Sequence, residues 1–289
     1  MLSGFRRRRV VEQTSHQAMK TVRQRTILTL TVILGALTLT AGCAAHPELR
    51  IEQLSRGYVV MLPGVESSAW QFAGVVKGLR EAGVDQAIDV VEWGDRSSGS
   101  ISNLTDFRRN QERAVAIAFR ITGYQRCYPA APITLIGYSG GGGLAVLVAE
   151  ALPDDVQLDR IILIGAAISP DHDLTKAIAH CRRGLVNFYS ERDWFMLGWG
   201  TSTFGTIDRK KTESAGRRGF LTPEGALREE PGLIQIAWND RWSALGHNGG
   251  HIGWLARPWA QEVLARHVVA APDQWAGGQP TAQAARPEP

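Results

Sequence analysis

Ile133-Thr134-Leu135-Ile136-Gly137-Tyr138-Ser139-Gly140-Gly141 decides how this chain is read. A short apolar, β-branched run predicts a strand, Gly-x-Ser-x-Gly follows it, and Leu144 to Leu152 predicts a helix closed by Pro153. A serine between a strand and a helix sits on a sharp turn with strained dihedrals. A side chain on either flanking residue would collide with the neighbouring strand or helix, and Gly137 and Gly141 remove both. The turn lifts the hydroxyl of Ser139 clear of the sheet and aims the N-terminus of the next helix at a reacting group, where partial positive charge favours an anion. The plainer alternative is a Gly-rich structural turn. A phosphate-binding loop is disfavoured because no Lys follows the glycines.

Working outward, short apolar runs alternate with helical patterns. Tyr58 to Leu62, Ala87 to Trp93, Ile133 to Ile136, Arg160 to Ala166, Leu185 to Tyr189 and Leu233 to Trp238 read as strands. Trp70 to Ala82, the stretch Phe107 to Thr122, Leu144 to Leu152, Leu174 to Cys181 and Trp254 to Val268 read as helices. Leu49 to Ile51 is a candidate for one more short strand, and Arg96 to Leu104 reads as a Ser/Gly/Asn loop. The alternation predicts an α/β fold: a mostly parallel central sheet of about six strands with helices on both faces.

In this context the Gly-x-Ser-x-Gly turn resembles that of the α/β-hydrolase superfamily, over roughly residues 57 to 268. The resemblance implies a compact α/β-hydrolase fold and a serine nucleophile at Ser139, followed along the chain by an acid and a histidine. The acid is expected after the second strand beyond the turn, which points to Asp193; Asp171 and Asp173, after the preceding strand, are the alternatives. The bland reading of each is a helix cap or a solvated loop charge. The histidine is expected before the last helix, in Gly246-His247-Asn248-Gly249-Gly250-His251. His251 lies nearest that helix and is preferred; His247 is the alternative, or a structural residue. In such a triad the imidazole takes the serine proton during attack and returns it to the leaving group, while the carboxylate orients the ring. The backbone N–H groups of Gly140 and Val65 are the expected oxyanion donors. The family often has His-Gly where this chain has Pro63-Gly64, a departure that bears on the second donor.

The N-terminal segment, residues 1–43, reads as targeting sequence. Lys20, Arg23 and Arg25 form a basic region, Thr26 to Thr40 is an apolar stretch too short to span a bilayer comfortably, and Thr40-Ala41-Gly42-Cys43 follows. This resembles a bacterial lipobox, which implies lipidation of Cys43 and a cell-envelope protein on the periplasmic side, anchored in the membrane. A plain secretory signal or an uncleaved helical anchor are the alternatives. Met19-Lys20 resembles the natural start of such a signal, with residues 1–18 an extension. Much of the basic excess behind the formal net charge of +4 lies before Cys43, so the charge implies no nucleic-acid partner. The hydrolase domain is expected over residues 44–270, and the Ala/Pro/Gln/Gly-rich tail over 271–289 has no apolar period.

Besides Cys43 the chain has Cys127 and Cys181, both shortly before predicted strands and hence at one end of the sheet. They either pair as a disulfide, which export allows, or remain two separate buried thiols. Neither has metal-ligand spacing, so no metal and no cofactor are expected. Residues 194–231 form an insertion after the acid, beginning Trp194-Phe195-Met196-Leu197 and carrying a basic cluster at Arg209, Lys210 and Lys211. Its aromatics either line an acyl pocket as a lid or pack on the sheet. The expected function is cleavage of a carboxylic ester, with a small-molecule or lipid ester as substrate. The alternatives are another acyl hydrolase (thioesterase, peptidase or cell-wall deacetylase) or a non-catalytic envelope lipoprotein of the same fold.

Overall fold

The computed structural model describes residues 49–95, 99–193 and 205–269. The targeting segment with Cys43, the aromatic start of the insertion and the tail lie outside the described residues. Six strands form one parallel sheet: β1 (Tyr58–Leu62), β2 (Ala87–Val90), β3 (Ile133–Tyr138), β4 (Arg160–Ile164), β5 (Leu185–Tyr189) and β6 (Leu233–Ala237), in the order β2-β1-β3-β4-β5-β6. The chain runs outward from β1 to β2 and then returns to place β3 on the other side of β1. That reversal opens a crevice at the carboxyl ends of β1 and β3, where open α/β sheets bind ligands.

Strand alternation splits the apolar side chains between two cores. Tyr58, Val60 and Leu62 of β1, Ile133 and Leu135 of β3, and Ile161 and Leu163 of β4 face one side. There they meet α3 (Phe107–Cys127) and α4 (Gly140–Glu150) through residues such as Ile117, Ile121, Leu144 and Val148. Val59, Met61, Ile136, Ile162 and Phe188 face the other side. They pack under α1 (Ala73–Glu81) and the final helical segment, with Phe72, Val75, Leu79, Trp254, Trp259 and Leu264. Because β1 to β5 are covered on both faces they are buried throughout, whereas edge strand β6 alternates only weakly.

Several boundaries differ from the sequence reading. Residues 51–56 form a 3-10 helix, not an extension of a strand at 49–51; the Tyr124 hydroxyl ties it down by donating to Leu54 O (2.6 Å). Strand β2 stops at Val90, because the Trp93 N–H turns away to the hydroxyl of Ser67 (2.6 Å). The Ser/Gly/Asn stretch read as a loop contains α2 (Gly99–Thr105), directly before α3. The chain after β6 forms a 3-10 helix at His251–Leu255, then α7 (Arg257–Trp259), a π-helical turn at Ala260–Leu264, and α8 (Ala265–Val269). Between β4 and β6 lie α5 (Thr175–Ala179) and α6 (Ala215–Arg218).

Cys127 and Cys181 are free thiols, which corrects the disulfide alternative. Cys127 ends α3 facing solvent, while the Cys181 thiol turns inward and donates to Ala177 O (3.3 Å). Burial pushes the Cys181 thiol up to about 12. Among the described residues no helix is long and apolar enough to cross a membrane.

Candidate active site

Ser139 occupies the turn between β3 and α4 with φ 55°, in the left-handed region that side chains other than glycine seldom adopt. Backbone hydrogen bonds hold it there, among them these. The Ser139 N–H donates to Ile164 O of β4 (3.0 Å), and its carbonyl accepts from Gly142 N–H and Ala167 N–H (2.9 Å each). The flanking glycines are sterically obligatory. A Cβ on Gly137 would sit 2.3 Å from Gly141 O, and one on Gly141 would sit 2.2 Å from Leu62 O and 2.3 Å from Pro63 O. The carbonyls at the end of β1 therefore press against the turn, and only hydrogen fits.

The Ser139 hydroxyl lies 2.9 Å from His251 Nε2, and His251 Nδ1 lies 2.5 Å from Asp193 Oδ2. All three side chains are buried: Ser139 is 8% exposed, His251 7% and Asp193 2%. An ionised carboxylate only accepts, so Nδ1 carries the proton and Nε2 is left to accept from the serine hydroxyl. The loop after β5 places Asp193, whose own N–H donates to Ser190 O (3.0 Å), while the Ser190 hydroxyl donates to Gly249 O (2.6 Å). The acid loop and the histidine loop are thus stitched together. The Tyr138 ring stacks on the His251 ring at 4.9 Å, and its hydroxyl donates to His251 O (3.2 Å). Burial, with Asp193 and Glu66 nearby, raises the Tyr138 phenol far above its ordinary value, so it stays a donor.

The alternative residues are elsewhere. His247 is fully buried among Trp238, Trp242, Trp254 and Trp259, with its ring centroid 4.0 Å from that of Trp254. Its Nδ1 accepts from Gly249 N–H (3.2 Å), which leaves the proton on Nε2. Burial lowers its pKa to about 3. It is a neutral packing residue under the histidine loop. Asp171 faces solvent and pairs with Lys210 (2.7 Å). Asp173 accepts from Thr175 N–H (2.9 Å) at the start of α5. Both are the bland cap or surface charge, so neither stands behind His251.

Gly140 and Val65 face each other across the turn: a Cβ on Gly140 would lie 3.5 Å from Val65 N. Neither N–H has an acceptor among the described residues. Residues not singled out from sequence hold the Val65 loop rigid. The Asn103 amide donates to Val65 O (2.8 Å), the Trp93 indole to Pro63 O (2.8 Å), and Gly64 N–H to Gln71 Oε1 (3.1 Å). Buried Ser67, at φ 48°, accepts from Trp93 and Gly94 N–H (2.6 Å each). Pro63 therefore costs the loop no donor, since its carbonyl is what the fold uses.

A family model described as "Serine aminopeptidase, S33" matches residues 53–197, half of the chain. The chain belongs to this family. Its fold is that of an α/β-hydrolase, and the matched stretch contains Ser139 and Asp193 but ends before His251. No curated protein matches. Similar solved structures include a CIB-like hydrolase from Thermoplasma acidophilum, at 15% identity and TM-score 0.40 over 74% of this chain and 84% of that one. An esterase domain from Rhodothermus marinus has 15% identity and TM-score 0.40, over 76% and 89%. Aspergillus fumigatus lipase B has 14% identity and TM-score 0.45, over 73% and 52%. At these values none bears on substrate or site.

Proposed function

We propose that this chain is a serine hydrolase that cleaves carboxylic esters through an acyl-enzyme. The observation that carries the proposal is the buried relay from Ser139 Oγ to His251 Nε2 (2.9 Å) and from His251 Nδ1 to Asp193 Oδ2 (2.5 Å). In this reading His251 removes the serine proton as Oγ attacks the ester carbonyl, and Asp193 stabilises the resulting imidazolium. The oxyanion is received by Gly140 N–H and Val65 N–H, which need little reorganisation because neither gives up a bond to a described residue. His251 then protonates the leaving alcohol. Water, deprotonated by the same ring, then attacks the acyl carbon; the acyl–Oγ bond breaks, His251 returns the proton to Ser139 Oγ, and the acid leaves.

Our preference for an apolar acyl group rests on two exposed side chains near these groups in sequence. Trp70, shortly after the Val65 loop, is 62% exposed, and Ile252, next to His251, is 73% exposed. Both offer apolar surface on segments that would frame the substrate. We further propose that Cys43 carries lipid and holds the domain at a bacterial membrane on its periplasmic side, on the strength of Thr40-Ala41-Gly42-Cys43 after an apolar stretch. Mass spectrometry of the mature N-terminus tests this: a diacylated Cys43 is expected, and an unmodified Cys43 overturns it.

The function is tested by comparing wild type with Ser139→Ala on p-nitrophenyl esters of increasing acyl length, beside an aminoacyl p-nitroanilide. Ester cleavage that rises beyond acetate and falls at least about a thousandfold in the variant is expected. Cleavage of the anilide alone would move the substrate class to amides. Equal rates in both proteins would remove Ser139 from the reaction.

A further inference from the structure

A second, half-buried polar cluster lies apart from Ser139, His251 and Asp193 and joins three parts of the chain. Asp208, in the described part of the insertion, accepts from Ser169 N–H (3.1 Å), from the Ser169 and Thr206 hydroxyls, and from His172 Nδ1 (3.2 Å). His172 Nε2 faces Glu150 Oε1, at the last residue of α4, across 2.7 Å. With a carboxylate on each ring nitrogen, both nitrogens donate, so His172 is an imidazolium. The same stretch is tied to the nucleophile turn. Ile207 N–H donates to Ala167 O (3.0 Å), and Ala167 N–H donates to the Ser139 carbonyl (2.9 Å). The Ile207 side chain also seats on the first turn of α4, where a Cβ on Gly143 would lie 2.3 Å from its Cγ2.

We propose that Glu150, His172 and Asp208 form an ion-paired clamp, an imidazolium between two carboxylates, that positions the Ser139 turn by pressing Ile207 and Ala167 against it from one side and fixing the far end of α4 on the other. The inference rests on the serine-hydrolase reading above. His172 is a positioning residue: it acts through Ile207 and Ala167 and touches no reacting atom. Loss of its proton leaves two carboxylates facing a ring that bonds only one of them, and the insertion loosens from α4. Burial lowers the His172 pKa, but the bonds to Asp208 and Glu150 outweigh it and raise the ring to about 9. The other charged groups around the ring are Asp173 and Asp171 of its own loop, Lys210 paired with Asp171, and Arg228. The Arg228 guanidinium donates to His172 O (2.9 Å) and pairs with Glu230 (3.5 Å).

The test measures the rate of fluorophosphonate labelling at Ser139 in the full chain as pH rises from about 7 to about 10. Wild type is compared with His172→Gln, which is never charged, and His172→Lys, which keeps a cation at alkaline pH. Wild type is expected to lose rate through about pH 9. His172→Gln is expected to be slower by at least about fivefold at neutral pH, with no alkaline fall of its own. His172→Lys should retain its rate where wild type has lost it. If His172→Gln does not fold, by circular dichroism, the profile of His172→Lys decides. Identical profiles in wild type and either folded variant overturn the clamp while leaving the serine-hydrolase reading intact. Absence of labelling in wild type at every pH overturns both.

Discussion

Asp193→Asn isolates the charge behind the imidazole from the shape of the site. Asp193 is 2% exposed and its Oδ2 lies 2.5 Å from His251 Nδ1. Because the amide can turn its oxygen toward Nδ1, the ring keeps its place and only the negative charge is lost. With charge centres about 4 Å apart and an effective dielectric of about 20, that charge stabilises the imidazolium of the transition state by about 4 kcal/mol. Converted to rate, this is about a thousandfold in kcat, with KM little changed because the substrate itself is neutral. If the amide instead presents its N–H₂ to the ring, the wrong tautomer results and the loss grows to about ten-thousandfold. The assay is steady-state hydrolysis of the best p-nitrophenyl ester, with Asp171→Asn and Asp173→Asn alongside. A rate within tenfold of wild type in Asp193→Asn, or a large loss in either companion, would refute the assignment of the acid.

Gly141→Ala places a methyl 2.2 Å from Leu62 O, against backbone that cannot step aside, and should cost at least about 2 kcal/mol in urea unfolding; an unchanged midpoint contradicts the packing described for the turn. Asn103→Ala frees the carbonyl of Val65 and should lower kcat about tenfold, less than outright loss of an oxyanion donor, while KM holds; an unchanged kcat would remove Val65 from the reaction. Burial holds His247 near pH 3 and, as the largest cause, lowers His267 to about 4, both below the unfolded value. Their neutral forms therefore stabilise the fold fully above about pH 6.5, and that stability is lost as pH falls towards the folded values, by about 1.4 kcal/mol per pH unit for each ring. Urea unfolding should show this slope between about pH 6 and about pH 4.5, shallower by one ring in His247→Gln; a flat profile in wild type contradicts it.

The sheet, and the positions of the three side chains that the fold brings together, are legible in local pattern. Strands β1 to β5 are buried throughout, Ser139 and Asp193 lie just after β3 and β5, and His251 comes after β6 and a 3-10 helix at Asp240–Leu245. The choice between His247 and His251 is open in sequence, because both sit among glycines; the fold brings four tryptophans around His247 and sets His251 between Ser139 and Asp193. Helix α2 was hidden because Ser, Gly and Asn favour turns, and its stability comes from tertiary bonds such as Asn110 Nδ2–H to Asn103 O (2.9 Å). The clamp was invisible for another reason. His172 and Asp208 are thirty-six positions apart, and no periodicity signals a contact of that span.

The most direct measurement is intact-mass and peptide mass spectrometry of the full chain after reaction with a fluorophosphonate, in wild type and in His251→Ala. One phosphonyl adduct per chain, located on Ser139 and lost in His251→Ala, is the result required of a serine hydroxyl activated by that ring. Folded wild-type protein that takes up no adduct, or carries it on another residue, would contradict the proposed chemistry.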